Sequence, residues 1–242
     1  MSTNILLTVL FCHGFLVGQA DPFIETISHV KQSIVPIACA TQPDAQGVVT
    51  VKKIKGTAFF VNDEGSFVTA AHVISKLWDE RGQPVAGCFP VIYVPNPSWP
   101  SIKWFQFGSM VMDETTDIAV CKTTKNPFAD SALHLGTLHL VPDIPADGTS
   151  VAFTGFPQVV IPVTSRGNIA LAGLLDKVVV DKTSWLGVTG GPLYVANGAV
   201  IGMMIERGAG DLDGMAFAKP ASLILKFLSD HNIPIGHDKP SR

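Results

Sequence analysis

The chain has 242 residues, 47% of them hydrophobic and only 15% charged. With no low-complexity run, that composition excludes a disordered chain and allows one or two domains around a large buried core. Seventeen basic residues stand against twenty acidic ones, a formal charge of −3 without a dense lysine or arginine cluster, which argues against nucleic acid as a partner.

The chain opens on an apolar segment, Ile5 to Ala20, that is too short to span a bilayer comfortably. It ends Gly18-Gln19-Ala20, with small residues at the two positions a signal peptidase reads. Residues 1–20 are therefore expected to be a cleaved export signal, and the product to be secreted or periplasmic, with no membrane contact after cleavage. The only positive charge ahead of the segment is the terminal amine, so a retained anchor is the alternative. Cys12 follows Phe11, too large for a lipoprotein cleavage site. Cys39, Cys88 and Cys121 remain after cleavage, an odd number that permits at most one bridge and leaves at least one thiol free. Their wide spacing contains no CxxC pair and predicts buried structural thiols rather than a zinc site. His13, His29, His134, His139, His231 and His237 are scattered without carboxylate partners at helical spacing, so neither a metal nor another cofactor is expected.

From Ile24 onward, short β-branched stretches recur between turn residues. Ser33–Ala40, Val48–Ile54, Thr57–Val61, Ser66–Thr69, Val91–Val94, Trp104–Phe107 and Ile118–Cys121 form a first series. Ser150–Thr154, Val159–Ser165, Val178–Val180, Pro192–Val195, Ala199–Ile205 and Gly214–Ala218 form a second. The rhythm predicts an all-β sandwich or barrel. Only two segments look helical: a short one over Ala71–Leu77, and Pro220–Asp230, where Leu223/Phe227 and Ile224/Leu228 repeat every four residues after a proline. Between the two series, Thr123–Pro145 is poor in strand signals and rich in Pro, Asp and Gly, and it marks the boundary between two β halves. The tail from Gly236 to Arg242 is expected to be solvated.

Three segments carry the chemistry. In Phe67-Val68-Thr69-Ala70-Ala71-His72 a histidine ends a strand after two alanines, small enough for a tight turn that sets the imidazole at a barrel rim, where a ring nitrogen can take a hydroxyl proton. Taken alone, His72 would more often be structural. In Asp113-Glu114-Thr115-Thr116-Asp117-Ile118, Asp117 opens an apolar strand. A partly buried carboxylate there needs a donor, and an imidazole N–H is one that also selects the tautomer. In Gly187-Val188-Thr189-Gly190-Gly191-Pro192, three glycines surround one hydroxyl, and such a backbone lets successive N–H groups converge on one point as an oxyanion hole requires.

These segments, in the order His72, Asp117, Thr189, resemble the trypsin-like serine protease family, and most closely its compact bacterial members of the HtrA and glutamyl-endopeptidase type. Asp213-Gly214-Met215-Ala216-Phe217-Ala218 resembles the family's last barrel strand, and the resemblance spans roughly Ile34 to Leu228. It implies two six-stranded antiparallel β-barrels, over about 30–125 and 146–220, closed by a C-terminal helix at 220–230. It further implies His72 as general base, Asp117 as its orienting partner and the amides of Gly187 and Thr189 as the oxyanion hole. By position, Thr183, Met204, Ile205 and Gly214 would line a specificity pocket without fixed charge, suited to a neutral or apolar side chain. Val188 stands where chymotrypsin-type enzymes carry an aspartate for zymogen activation, so that route is not expected. No segment of PDZ size follows the helix, and a monomer acting on peptides or proteins is the default expectation.

The departure is Thr189, where the family has serine. Its extra methyl lies on the carbon that bears the hydroxyl and restricts χ1. Threonine nucleophiles elsewhere use a chain N-terminus as base, and Thr189 is internal. Two functions follow: an exported endopeptidase with a threonine nucleophile, or a pseudoprotease that holds a peptide along Met203–Arg207 by β-addition without cutting it.

Overall fold

A computed structural model describes residues 21–79, 81, 83–95, 102–158, 161–174 and 176–236. The expected export signal at 1–20, the start of the Val159–Ser165 strand and most of the expected solvated tail lie outside these.

Twelve strands form two closed barrels. The first contains β1 (Ile34–Ala40), β2 (Val51–Phe60), β3 (Ser66–Thr69), β4 (Phe89–Val94), β5 (Lys103–Asp113) and β6 (Ile118–Thr123). The second contains β7 (Ser150–Gly155), β8 (Val163–Leu174), β9 (Lys177–Val180), β10 (Pro192–Tyr194), β11 (Val200–Arg207) and β12 (Ala216–Pro220). Around the first barrel the strands run β1-β2-β3-β6-β5-β4, and around the second β7-β8-β9-β12-β11-β10, so the two halves share one topology. The expectation of two six-stranded antiparallel barrels with a C-terminal helix is borne out. Closure gives every strand a partner on both sides, so no strand stands at a sheet edge over its whole length.

Each barrel buries its own apolar interior. Val151, Phe153, Ile169, Val178, Val180, Leu193 and Met204 fill the second. The larger cluster fills the first barrel and continues across the seam to Tyr194, Met203, Ile205 and Phe217. There β1 and β2 pack on β7. The closing helix α3 (Ala221–Asp230) buries Ala221, Ile224, Phe227 and Leu228 against β6, β11 and β12, bridging both barrels as its four-residue repeat predicts.

Several strands are longer than the sequence pattern suggests. Val48–Ile54 and Thr57–Val61 merge into β2, because Lys55 and Gly56 continue the ladder with β1 through an irregularity. Trp104–Phe107 extends to the eleven residues of β5, and the strand after β7 runs on to Leu174 through Gly167 and Asn168, residues of low strand propensity held by pairing with β7, and through Gly173 within an irregularity of the β9 ladder. Two corrections concern helices. The segment expected over Ala71–Leu77 is helical only through Ile74 (α2, Ala71–Ile74), and Phe23–Ser33, outside the two segments expected to be helical, is a helix, α1. Ile24, Ile27 and Val30 lower its propensity, but Phe23, Ile27 and Val30 fall on one face, and Phe23 and Val30 are buried. Asp21 caps its start by accepting the Phe23 N–H at 3.0 Å.

Cys39 and Cys88 form a disulfide between β1 and the approach to β4, while Cys121 is a free buried thiol that burial pushes far up in pKa, out of nucleophilic reach. The single bridge is the most that three cysteines allow, and Cys121 is the thiol that the odd count leaves free.

The Phe23 ring is 2% exposed, lies 6.4 Å from Tyr194, and has the Arg166 guanidinium over it at 4.4 Å. Phe23→Ala should therefore cost about 3–5 kcal/mol in urea unfolding, whereas Ile24→Ala, on the exposed side of the same turn, should cost under about 0.5 kcal/mol.

Candidate active site

The first barrel supplies two of the three expected catalytic side chains. β3 ends at Thr69, and Ala70 and Ala71, both fully buried, turn the chain into α2, whose second residue is His72. Asp117 precedes β6, which pairs with β3, so ladder registry alone brings the two together. Nδ1 of His72 lies 2.9 Å from Oδ2 of Asp117 and 3.0 Å from Oδ1. The main-chain N–H of His72 donates to Oδ1 at 3.0 Å, and that of Ala71 donates to the Asp117 carbonyl at 3.3 Å.

Asp117 adopts a left-handed backbone, φ +56°, which a non-glycine residue takes at a cost of order 1 kcal/mol unless its surroundings enforce it. Here the bonds to Ala71 and His72 do so. An ionised carboxylate only accepts, so Nδ1 carries the imidazole proton and Nε2 is left with a lone pair. Burial pushes the Asp117 carboxyl up, but the hydrogen bonds from the His72 side chain and main chain outweigh it, and the group lies below the ordinary carboxylate range. The charge of Lys219 acts in the same direction. The His72 side chain is 39% exposed, open to an incoming molecule.

The third expected residue comes from the second barrel. Thr189, half-buried, sits in the turn between β9 and β10. Its carbonyl accepts the N–H of Thr57 in β2 at 2.8 Å, which fixes the turn against the first barrel. The Val188 carbonyl accepts the Gly191 N–H at 2.8 Å, and the Gly190 N–H and Gly191 carbonyl bond to Met204 in β11 at 2.7 and 2.8 Å. Among the described residues the amides of Gly187 and Thr189 donate no main-chain hydrogen bond, and no bond joins Nε2 of His72 to the Thr189 hydroxyl. Gly187 and Gly190 hold φ of +99° and +87°, and a Cβ on them would overlap the carbonyl oxygens of Phe156 and Thr57 respectively. The glycines are thus required both by conformation and by contact. Val188 is buried in the second barrel's core, which leaves no carboxylate there to receive a new amino terminus.

Of the residues expected around a specificity pocket, Met204 is fully buried among the second barrel's core side chains and Ile205 lies in the seam cluster, while Thr183 and Gly214 are exposed on flanking loops. β11 pairs with β10 only as far as Met203, and an irregularity at Ile205 precedes Glu206 and Arg207, which pair with β12 alone. One edge of β11 beyond Met204 is therefore unpaired with β10. Glu206 is engaged by Lys177 at 2.7 Å. Sequence reasoning missed two residues here. Thr57 carried no signal beyond a threonine in an apolar strand. Lys219, 3% exposed and ion-paired to Asp176, did carry one: a lone cation closing Ala216-Phe217-Ala218. Among the described residues no cluster of three or more His, Cys, Asp or Glu side chains is arranged to hold a metal.

Gly190→Ala should lower stability by more than about 4 kcal/mol in chemical denaturation, whereas Gly148→Ala, with φ +84° and open space around it, should cost only about 1–2 kcal/mol. Because the folded-state pKa of Asp117 is depressed, its contribution is present above the unfolded value and lost as pH falls through the folded one. Below about pH 4, unfolding free energy should fall less steeply in Asp117→Asn than in the native chain, as urea titrations across that range would show.

No family model matches the chain. It is 25% identical over 240 residues to the magnetosome formation protease MamE of Magnetospirillum gryphiswaldense, a match covering 88% of this chain and 29% of that protein. Among solved structures it superposes on the serine endoprotease from Yersinia pestis with a TM-score of 0.64 at 19% identity, covering 86% of this chain and 66% of that one. The chain thus spans less than a third of the MamE sequence and just under two thirds of the Yersinia chain. On its paired six-stranded barrels and this likeness, the chain has the chymotrypsin-like fold of the trypsin-like serine endoproteases.

Proposed function

We propose that the chain is an exported endopeptidase that hydrolyses peptide bonds with His72, Asp117 and the hydroxyl of Thr189. The observation that carries this reading is the His72–Asp117 pair, which is bonded through both side chain and main chain and leaves Nε2 free to accept a proton. In this mechanism Oγ1 of Thr189 attacks the substrate carbonyl carbon as its proton passes to Nε2. The negative charge that develops on the carbonyl oxygen is met by the N–H groups of Gly187 and Thr189, and Asp117 stabilises the imidazolium. Collapse breaks the C–N bond, and Nε2–H protonates the departing amine. Water then attacks the acyl ester, giving its proton to Nε2, and Thr189 leaves as the free hydroxyl.

Substrate is proposed to lie antiparallel along Ile205–Arg207, with its specificity side chain among Thr183, Ile205, Gly214 and the backbone of Met204. That setting has no unpaired fixed charge and favours a neutral or apolar guest. Export rests on the apolar Ile5–Ala20 segment.

The second reading is a pseudoprotease, favoured by Thr189 itself. If the threonine methyl only crowds the site, a penalty of about 1–3 kcal/mol slows turnover roughly 5- to 150-fold, and a displacement of about 1 Å would cost on the order of a hundredfold more. Digestion of a mixed peptide library, read by mass spectrometry for the native chain, Thr189→Ser and His72→Ala, separates the two. The protease reading expects native cleavage that His72→Ala abolishes and Thr189→Ser accelerates. Cleavage by Thr189→Ser alone would establish a pseudoprotease, and native cleavage that survives His72→Ala would remove the proposed base.

A further inference from the structure

Thr57 is a fully buried residue of β2 with every polar group engaged. Its main-chain N–H donates to the Thr189 carbonyl at 2.8 Å, and its carbonyl accepts the Thr69 hydroxyl at 2.8 Å. Its own hydroxyl accepts the N–H of Phe156, just past β7, at 3.0 Å. Because an amide N–H can only donate, the hydroxyl proton is free for the Gly187 carbonyl, 2.7 Å away. One side chain thus joins the first barrel, the end of β7 and the turn that carries Thr189.

The consequence lies in which groups of that turn are held. The carbonyls of Gly187, Val188 and Thr189 each have a donor: the Thr57 hydroxyl, the Gly191 N–H and the Thr57 N–H. The amides of Gly187 and Thr189 have no main-chain acceptor among the described residues. Three successive carbonyls are tied back and two donors are left over. Gly187 has no side chain to hold its own conformation, so its orientation depends on what its neighbours grip.

We infer that Thr57 is a positioning residue for the oxyanion hole: its hydroxyl, by holding the Gly187 carbonyl to barrel 1 and to the Phe156 amide, aims the free amides of Gly187 and Thr189 at the reacting carbonyl. The inference rests on the protease reading of the same turn. The main-chain bond from Thr57 to Thr189 survives any non-proline substitution, so changing the side chain isolates the hydroxyl. Valine matches threonine in shape and strands both the Gly187 carbonyl and the Phe156 N–H, whereas serine keeps the bonds.

Thr57→Val and Thr57→Ser, each in the native and the Thr189→Ser backgrounds, are compared by peptide kcat and KM, by thermal unfolding, and by amide hydrogen exchange at Gly190 and Gly191. Thr57→Val is expected to lower kcat about 10- to 100-fold at unchanged KM, the signature of an interaction realised in the transition state, and to speed exchange at Gly191. Thr57→Ser is expected to restore both. Native kcat and native exchange in Thr57→Val would overturn the inference, as would equal losses in the two variants, which would assign the effect to the γ-methyl and packing. If no background cleaves peptide, the protease reading fails and the exchange comparison alone decides whether the Thr57 hydroxyl holds the turn.

Discussion

The proposed chemistry is divided between two barrels, and the contact that brings its parts within reach is a main-chain bond from Thr57 of β2 to Thr189 of the β9–β10 turn. The two halves of the site are otherwise built independently. The His72–Asp117 pair is internal to the first barrel and would form without the second. The Thr189 turn is braced from its own side by Met204 of β11. Only the seam sets one against the other, and it does so through backbone, which explains why a Cβ on Gly190 would overlap the Thr57 carbonyl: two chains lie at backbone contact there. Distances fixed by main-chain hydrogen bonds tolerate little drift, as catalysis at a shared point demands.

The rest of the molecule keeps that seam from opening. The larger apolar cluster runs from the interior of the first barrel to residues of the second, so separating the barrels would expose side chains that are otherwise dry. α3 lies across β6, β11 and β12, and α1 is fastened on the far side by Phe23 against Tyr194 and by a bond from Thr26 to the Ala196 carbonyl at 2.5 Å. Both helices therefore act as straps across two units with the same topology. The backbone strain at Asp117 belongs to the same design: a left-handed residue persists where hydrogen bonds from the His72 turn over-determine it.

Charge enters the site sparingly. Asp117 is held in its ionised form mainly against the pull of burial, by donors from His72, with Lys219 adding a cation from β12. Lys219 is itself buried and balanced by Asp176, whose carboxyl its hydrogen bond lowers. A cation supplied by the second barrel thus bears on a carboxylate of the first, an electrostatic coupling across the seam besides the hydrogen bonds of Thr57.

Much was legible in the sequence because it is written in local pattern. Alternating β-branched stretches announced the strands, the Pro- and Asp-rich midpoint announced the division, and His72, Asp117 and the Gly187–Gly191 turn stood out because imidazole, buried carboxylate and clustered glycines are each unusual where they occur. Strand lengths were underestimated because Gly56, Gly167 and Asn168 are held in strands by a ladder partner, Ile37, Val151 and Ser150 respectively, that local sequence does not reveal. α1 was missed because its β-branched residues speak locally for strand, while its apolar face acquires meaning only against Tyr194 and the second barrel. The sequence by itself determined the element types apart from α1, the two-part division and the candidates for chemistry, since these depend on neighbours along the chain. The tertiary structure alone decided the Cys39–Cys88 bridge, the tautomer of His72, and the partners of Thr57 and Lys219, because each depends on which backbone or charge arrives from more than forty residues away.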